Sequence, residues 1–280
     1  MTNAIEIKNL SKNYNDFSLN IDSLNIPKGC IMGLVGSNGA GKSTLIKAIL
    51  DLISLDSGEI KINGESNKNE AAREDIGVVF DEIKFPQVFT AKDICTVLKG
   101  VYKNWDDDLY NKYLTQFKLP DNKKIKDCSR GMKMKMSIAA ALAHKPKLLI
   151  LDEATSGIDP VVRDEILDIF LEFIQNEEHT ILASSHIISD IEKAADYVTF
   201  INNGKIVFCD EKDVLLDKYR LVKCGNEELG ALDKSKIIGM RTNTFGAEVL
   251  MLTENVPANF VSAKAGIEDI MLMIIKNENK

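Results

Sequence analysis

The sequence predicts an α/β fold in which a core carries an antiparallel β subdomain and an α-helical insert, followed by a small α+β C-terminal domain. Two apolar runs, residues 30–35 and 148–151, are typical of buried strands in a sheet covered by helices. Helical periodicity replaces strands over about residues 86–146, which are predicted to form the insert. The motifs end near residue 211, so we expect domains at residues 1–215 and 216–280.

The composition indicates an ordinary globular protein. Of its 280 residues, 45% are hydrophobic and 28% are charged, and 35 Lys and Arg against 42 Asp and Glu give a net charge of −7. An acidic chain is poorly suited to binding nucleic acid, which requires a basic face. Five scattered cysteines without a Cys-x-x-Cys pair favour a reducing cytosolic compartment. We expect neither a signal peptide nor a membrane span, which needs ~18–20 apolar residues.

The N-terminal strands are predicted from the alternation of apolar and polar residues and from turn residues. Residues 4–10 and 17–26 alternate apolar with polar side chains, which predicts two half-buried strands. The strand over residues 58–62 ends in Asn63-Gly64, a strong hairpin signal. A buried strand is predicted at residues 76–80. These segments therefore form the β structure before the insert.

The insert is predicted to contain three helices. The first begins after Thr90, an N-cap that has Asp93 three positions later. A second amphipathic run stops at Leu119-Pro120, and a third helix begins at Ser129. These amphipathic segments interrupt the core between its two halves.

After the insert the core resumes. The strand at residues 148–151 is followed by a helix that opens at Pro160, since proline favours the first helical position. A second buried strand at residues 180–185 precedes His186. A hairpin spans residues 197–208, and the C-terminal domain is predicted to contain strands and a last amphipathic helix, residues 267–275.

A glycine-rich loop lies between a predicted strand and a predicted helix, which is the context that a phosphate-binding P-loop requires. Its backbone N–H groups and the helix N-terminus would surround phosphate. Lys42 would reach the β- and γ-phosphates, and the Ser43 hydroxyl would bind Mg²⁺. The loop therefore predicts nucleoside triphosphate binding by Gly36, Ser37, Asn38, Gly39, Ala40, Gly41, Lys42, Ser43 and Thr44.

Two carboxylates follow the strand at residues 148–151. Asp152 is positioned to hold Mg²⁺, while Glu153 faces differently and could polarise an attacking water. His186 follows another buried strand and could contact the γ-phosphate. A solvated strand end and a surface histidine are the ordinary alternatives, and the P-loop upstream favours the catalytic interpretation.

These motifs resemble the ATP-binding subunit of bacterial ABC transporters over about residues 3–210. The resemblance implies a P-loop NTPase (RecA-like) core that hydrolyses ATP with Mg²⁺. Residues 36–44 resemble Walker A, residues 148–153 resemble Walker B with catalytic Glu153, and His186 is similar to the switch histidine. The further nucleotide contacts it implies are Tyr14 on adenine, Ser129 and Gly131 of the signature, and Asp159 of the D-loop.

Two motifs depart from the family pattern. Arg130 and Met132 stand within the signature segment Cys128-Ser129-Arg130-Gly131-Met132. The glutamine that the family places after the strand at 76–80 is replaced by Asp81-Glu82, with Gln87 further along. Because carboxylates can bind Mg²⁺ or its waters, we expect Asp81 or Glu82 to substitute for it, with Gln87 as an alternative.

The resemblance also implies partners. It predicts a dimer, with itself or a related ATPase, that encloses two ATP molecules and drives a separate membrane permease from the cytoplasmic, inner face of the membrane. The signature and the short C-terminal domain are similar to drug-, antibiotic- or lipid-export subunits. Two alternatives are a cytosolic ATPase that acts on ribosomes or DNA, and a drug-resistance ATPase that senses its drug.

Overall fold

The structure is a computed structural model that describes residues 2–278, with side chains described to residue 276. It divides into two compact units, Met1–Val207 and Phe208–Lys280. This division lies eight residues before the boundary expected at 215/216, because the helix over residues 212–218 belongs to the second unit. Two sheets belong to the first unit, one of them with a last strand that crosses the division, and the third sheet belongs to the second unit.

In chain order, the first unit contains β1 (Asn3–Asn13), β2 (Ser18–Pro27), β3 (Ile31–Val35), α1 (Lys42–Ile49), β4 (Ser57–Ile62), β5 (Glu65–Ser66), α2 (Glu70–Glu74), β6 (Ile76–Val79), α3 (Ala91–Lys99), α4 (Asp107–Gln116), α5 (Arg130–Leu142), β7 (Leu148–Asp152), α6 (Pro160–Phe173), β8 (Thr180–Ser185), α7 (Ile188–Ala194) and β9 (Tyr197–Asn202). β10 (Lys205–Glu211) crosses the division. The second unit continues with α8 (Lys212–Lys218), β11 (Tyr219–Cys224), β12 (Ile237–Asn243), β13 (Gly246–Leu252), β14 (Ser262–Lys264) and α9 (Ile267–Glu278).

The antiparallel sheet has the strand order β2-β1-β4-β5. Its apolar positions alternate as predicted, and Ile5, Ile7, Leu19 and Ile21 are buried on one face. The predicted Asn63-Gly64 turn joins β4 to β5, and both residues have positive φ, as a tight hairpin requires.

The second sheet has the order β10-β9-β3-β8-β7-β6, and the pairs from β9 to β6 are parallel. β3 and β7 are buried at every position, because helices cover both faces of such a sheet. β8 lies between them, so the carboxyl ends of β3, β7 and β8 meet at one edge. Ligands bind at this edge in open α/β sheets.

The insert contains α3, α4 and α5, as predicted. Thr90 and Asp93 form the capping box at the start of α3, and Ser129 caps α5 by accepting a hydrogen bond from the Met132 N–H at 3.2 Å. Tyr110 is fully buried and donates to the Ala91 carbonyl at 3.1 Å, which joins α4 to α3.

The second unit is a sheet of order β12-β13-β11-β14 with α9 packed on β12 and β13. Its core is apolar and includes Val222, Leu232, Val249 and Met251. Within residues 2–278, every helix is too short or too polar to cross a bilayer.

Candidate functional site

The glycine loop connects β3 to α1, and its shape requires glycine at particular positions. Gly39 and Gly41 have φ of 81° and 115°, where a side chain is strained. A Cβ at Gly36 would collide with the carbonyl oxygen of Ile201. The loop folds around the side chain of Lys42, whose Nζ donates to the Gly36 carbonyl at 2.8 Å. Lys42 is therefore held at the centre of the loop, only 6% exposed.

The Glu153 carboxylate contacts two other charged or titratable side chains of the site. One of its carboxylate oxygens lies 3.3 Å from Lys42 Nζ, and the other lies 2.5 Å from Nδ1 of His186. Its φ of 56° is unusual for a residue other than glycine, and such conformations concentrate at functional sites. Three segments that are distant in sequence thus meet at one carboxylate.

Asp152 is held by two hydroxyls. Its Oδ1 accepts from Ser43 at 3.2 Å and from the buried Ser184 at 2.7 Å. Ser184 Oγ also accepts from the Glu153 N–H at 3.1 Å, so one side chain of β8 fixes both carboxylate residues. No local sequence pattern predicts this role of Ser184, because it depends on the pairing of β7 with β8.

The donor set at Asp152 is suited to Mg²⁺, which prefers hydroxyl and carboxylate oxygens and keeps waters and substrate phosphates as its other ligands. Ser43 and Asp152 supply such oxygens at one point. In the described part of the chain, no group of three or more His, Cys, Asp and Glu side chains forms a metal cage. The site therefore suits a cation that arrives with a phosphate ligand.

A cavity of about 730 Å³ opens over these groups. It has space for a nucleotide-sized molecule, since ligand pockets commonly measure about 300–1,000 Å³. Its lining includes several predicted residues: Ser37, Asn38, Gly39, Gly41, Lys42, Ser43, Thr44, Asp81, Glu153 and His186. The lining residues that the sequence analysis did not select for nucleotide contact are Asp16, Phe17, Arg130, Ser156 and Asn203.

Gly36 and Ala40 belong to the loop without lining the cavity, and Asp152 lies beneath it, 6% exposed. Gly36 contributes its carbonyl oxygen to Lys42. Backbone positions inside the loop can thus shape the site without facing the ligand.

The aromatic side of the cavity is formed by Phe17. Tyr14, which is predicted to stack on adenine, is 46% exposed and is absent from the lining, although its ring centroid lies 6.3 Å from that of Phe17. The Phe17 ring approaches the P-loop closely, as a Cβ at Gly41 would lie 3.0 Å from it. The structure therefore places Phe17, and not Tyr14, against the cavity and the P-loop.

The signature residues lie at the start of α5. Ser129 is exposed, and Gly131 packs on α6, where a Cβ would lie 3.0 Å from Val162. Neither residue lines the cavity of its own chain, but Arg130 between them does. The guanidinium of Arg130 packs over Gly157 of the Ser156–Asp159 turn.

The remaining predicted residues divide into two groups. Asp159 caps α6, accepting from the Val161 N–H at 2.9 Å, and does not line the cavity. Asp81 lines it, whereas Glu82 and Gln87 line a neighbouring cavity of about 320 Å³ that Asp81 and Arg130 also border. Of the three candidates that could replace the usual glutamine, Asp81 lies nearest to the P-loop.

Comparison with known proteins agrees with this geometry. Residues 19–156 match the family described as "ABC transporter". The chain is 38% identical to the lantibiotic transport ATP-binding protein SrtF of Streptococcus pyogenes over 213 residues, which are 75% of this chain and 91% of that protein. The chain belongs to the ABC transporter family. The predicted resemblance to ABC transporter ATP-binding subunits is thereby confirmed.

Two further matches extend this result. The ABC subunit is 36% identical to the bacitracin transport ATP-binding protein BcrA of Bacillus licheniformis, over 74% of this chain and 69% of that protein. It shares the fold of cbiO1 from Clostridium perfringens, with a TM-score of 0.65, 26% identity, and coverage of 77% and 91% of the two chains. The protein is thus an ATP-hydrolysing, ATP-binding transporter subunit, which favours transport over the ribosome- or DNA-directed alternative.

Proposed function

We propose that this ABC subunit hydrolyses ATP with Mg²⁺ in the 730 Å³ cavity and thereby drives a separate permease that exports an antibiotic-like compound. The convergence of Lys42, Glu153 and His186 is the observation that carries the proposal. These groups meet over the P-loop, where the γ-phosphate of a bound triphosphate would lie.

Each residue has a part in this scheme. Lys42 and the loop N–H groups bind phosphate, while Ser43 and Asp152 would hold Mg²⁺, which neutralises charge on the phosphates. Glu153 orients the attacking water and accepts hydrogen bonds from it, and His186 steadies Glu153 through the 2.5 Å contact. Phe17 and Tyr14 provide the aromatic side for adenine. Asp81 lines the same cavity and would help to hold the cation or its waters.

A dimer would complete the site. Ser129 lies at an exposed helix N-terminus, which suits it to contact phosphate bound by a second subunit. Gly131 allows α5 to pack against α6, and Asp159 fixes the adjoining turn by capping α6. The second subunit is another copy of this chain or a related ATPase.

The partner and cargo follow by analogy with the relatives. SrtF and BcrA are named for lantibiotic and bacitracin transport, so we assign an antibiotic as the cargo class and export as the direction. The permease would contact the insert and the Asp81–Gln87 loop from the cytoplasmic side of the membrane. The second unit serves as an accessory domain.

The test of the hydrolytic site is Glu153→Gln. We expect steady-state hydrolysis to be lost while ATP binding persists and an ATP-bound dimer accumulates, measured by phosphate release and size-exclusion chromatography. Glu177→Gln alters an exposed carboxylate outside the cavity and should behave as wild type. Wild-type turnover in Glu153→Gln would refute the role of Glu153.

The test of the partner is affinity purification of Glu153→Gln from detergent-solubilised membranes with ATP and Mg²⁺. A multi-span membrane protein should copurify, and transport assays on it would then identify the cargo. Recovery of ribosomal proteins or nucleic acid without a membrane protein would contradict the permease assignment.

A further inference from the structure

We propose that Arg163 is a positioning residue that joins two segments at the edge of the nucleotide cavity, here called its two walls: the Ser156–Asp159 turn, and His186 with the helix α7 that follows it. The inference rests on the proposed function, because it concerns the geometry of the same hydrolytic site. Arg163 does not line the cavity itself.

Arg163 contacts both walls with one guanidinium. Its Nη2 donates to the Ile158 carbonyl at 3.3 Å, within the turn. Its Nη1 lies 3.8 Å from Oδ1 of Asp190, in the first turn of α7. The planar, forked guanidinium is suited to such a bridge, since it presents donors in fixed directions.

Both linked segments lead to the cavity. Ser156 at the start of the turn lines the cavity, and so does His186, which precedes α7 by two residues. His186 in turn contacts Glu153 at 2.5 Å. A displacement of the turn can therefore reach Glu153 through Arg163, Asp190 and α7.

The cost of this contact indicates that it does more than stabilise the fold. Asp190 is 5% exposed, and within the described residues neither its Oδ2 nor Arg163 Nε has a hydrogen-bond partner. Burying charges and leaving polar atoms unpaired opposes folding, and apolar side chains often replace a buried ion pair without loss of stability. Positioning the two walls is a role that an apolar pair could not fill.

The same two helices carry a natural control. Asp164 of α6 and Lys193 of α7 form an ion pair at 2.7 Å, but both side chains are at least 60% exposed and neither contacts the turn. If any link between α6 and α7 could position the two walls, removal of the Asp164–Lys193 pair would lower kcat as removal of Arg163 does. We expect no such loss of kcat, because exposed ion pairs contribute little.

The experiment compares kcat, KM for ATP and thermal stability of the purified subunit for Arg163→Met, Arg163→Met with Asp190→Leu, and Lys193→Gln. Arg163→Met leaves Asp190 unpaired, so it lowers both Tm and kcat. The double variant restores Tm by removing the buried charge, but we expect kcat to stay about 10- to 100-fold low, since misplaced catalytic groups cost rates of this order. KM should stay close to the wild-type value, and Lys193→Gln should match wild type.

If the double variant does not fold, Arg163→Lys provides the same test. Its single ammonium keeps a positive charge beside Asp190 but cannot bridge to the turn as the fork does. We expect near wild-type Tm with reduced kcat. The imidazole resonance of His186, assigned by its loss in His186→Ala, should also shift in this variant.

Recovery of kcat together with Tm in the double variant would overturn the inference, because Arg163 would then be purely structural. Equal losses in Lys193→Gln would overturn it as well. If the wild-type protein hydrolysed no ATP, the proposed function would fail instead. Normal wild-type hydrolysis with unaffected Arg163 variants would refute only this inference.

Discussion

At the scale of single residues, the site depends on how its charged side chains are paired. Glu153 contacts Lys42 and His186 at once, so phosphate must compete with a carboxylate for the lysine. Lys42 also donates to the Gly36 carbonyl. These contacts stabilise an almost buried ammonium, because an unpaired buried charge is costly.

Lys42→Ala should therefore weaken ATP binding. We expect the dissociation constant to rise about 10- to 100-fold, since hydrogen bonds to charged groups contribute about 1.5–3 kcal/mol. Calorimetry with a non-hydrolysed ATP analogue measures it. Lys47→Ala changes an exposed lysine of the same helix outside the cavity and should bind normally. Equal affinity in both variants would refute the assigned role of Lys42.

His144 makes stability depend on pH. It is 2% exposed, stacks on Tyr102 at 4.0 Å, and its Nε2 lies 3.1 Å from the Ile76 carbonyl. Burial lowers its pKa below the ordinary value of about 6.5. As the pH falls, His144 is therefore protonated in the unfolded chain before it is protonated in the folded chain. The stability that neutral His144 contributes is complete above about pH 6.5 and is lost below it, by up to roughly 1.4 kcal/mol per pH unit.

His144→Phe keeps an aromatic ring beside Tyr102 and removes the titration. We expect its free energy of unfolding to fall less than that of wild type between pH 7 and 5.5, as measured by urea denaturation. Comparison at pH 8, where this histidine is neutral in both states, isolates the packing effect of the substitution. Identical pH slopes for the two proteins would contradict the prediction.

At the scale of elements, a long-range contact holds the end of the P-loop helix. α1 has Lys47 in its last turn, and Asn67 caps its end from a turn that is distant in sequence. The buried Asn67 amide donates to the Ala48 and Ile49 carbonyls at 3.0 and 3.1 Å. The capping box of α3 lies within one turn of the chain and was predicted from sequence. The Asn67 cap of α1 instead joins residues that are 18 and 19 positions apart.

Asn67→Ala should destabilise the protein by about 1–3 kcal/mol, because two buried carbonyls lose their donor. Urea denaturation measures the change. Lys68→Ala, at the exposed neighbouring position, serves as the control and should leave stability unchanged. A free energy of unfolding equal to wild type for Asn67→Ala would show that water replaces the amide.

At the scale of the whole molecule, the nucleotide site belongs to the first unit. The residues that line the cavity lie between Asp16 and Asn203, and the division falls after Val207. β10 crosses the division and extends the parallel sheet beyond β9. A functional ATPase unit should therefore include β10 and end after it.

A chain that ends at Glu211 should fold and bind ATP with an unchanged dissociation constant, measured by calorimetry. A chain that ends at Gly204 lacks β10, leaves β9 as an unpaired edge, and should unfold more readily or aggregate. Loss of ATP binding in a folded chain that ends at Glu211 would show that the second unit contributes to the site.

The predictions from sequence were accurate for features that depend on neighbouring residues. They were less accurate for features that depend on contacts between distant residues. The strands, the capping box at Thr90 and the glycine loop follow from neighbouring residues, and the structure contains all of them. The expected boundary at 215/216 differs from the division after Val207, because α8 belongs to the second unit. Tyr14 was selected by its resemblance to the family, whereas Phe17 lines the cavity because the β1–β2 turn places it there.

The sequence by itself determined the chemistry, because the P-loop, Asp152-Glu153 and the helix caps each need only a few consecutive residues in a suitable local conformation. The tertiary structure decided which distant groups meet. Ser184 reaches Asp152 only because β8 pairs with β7, and Arg163 reaches Asp190 only because α6 lies beside α7. Such contacts depend on strand order, register and helix packing, which arise from the collective burial of apolar surface and have no local pattern in the sequence.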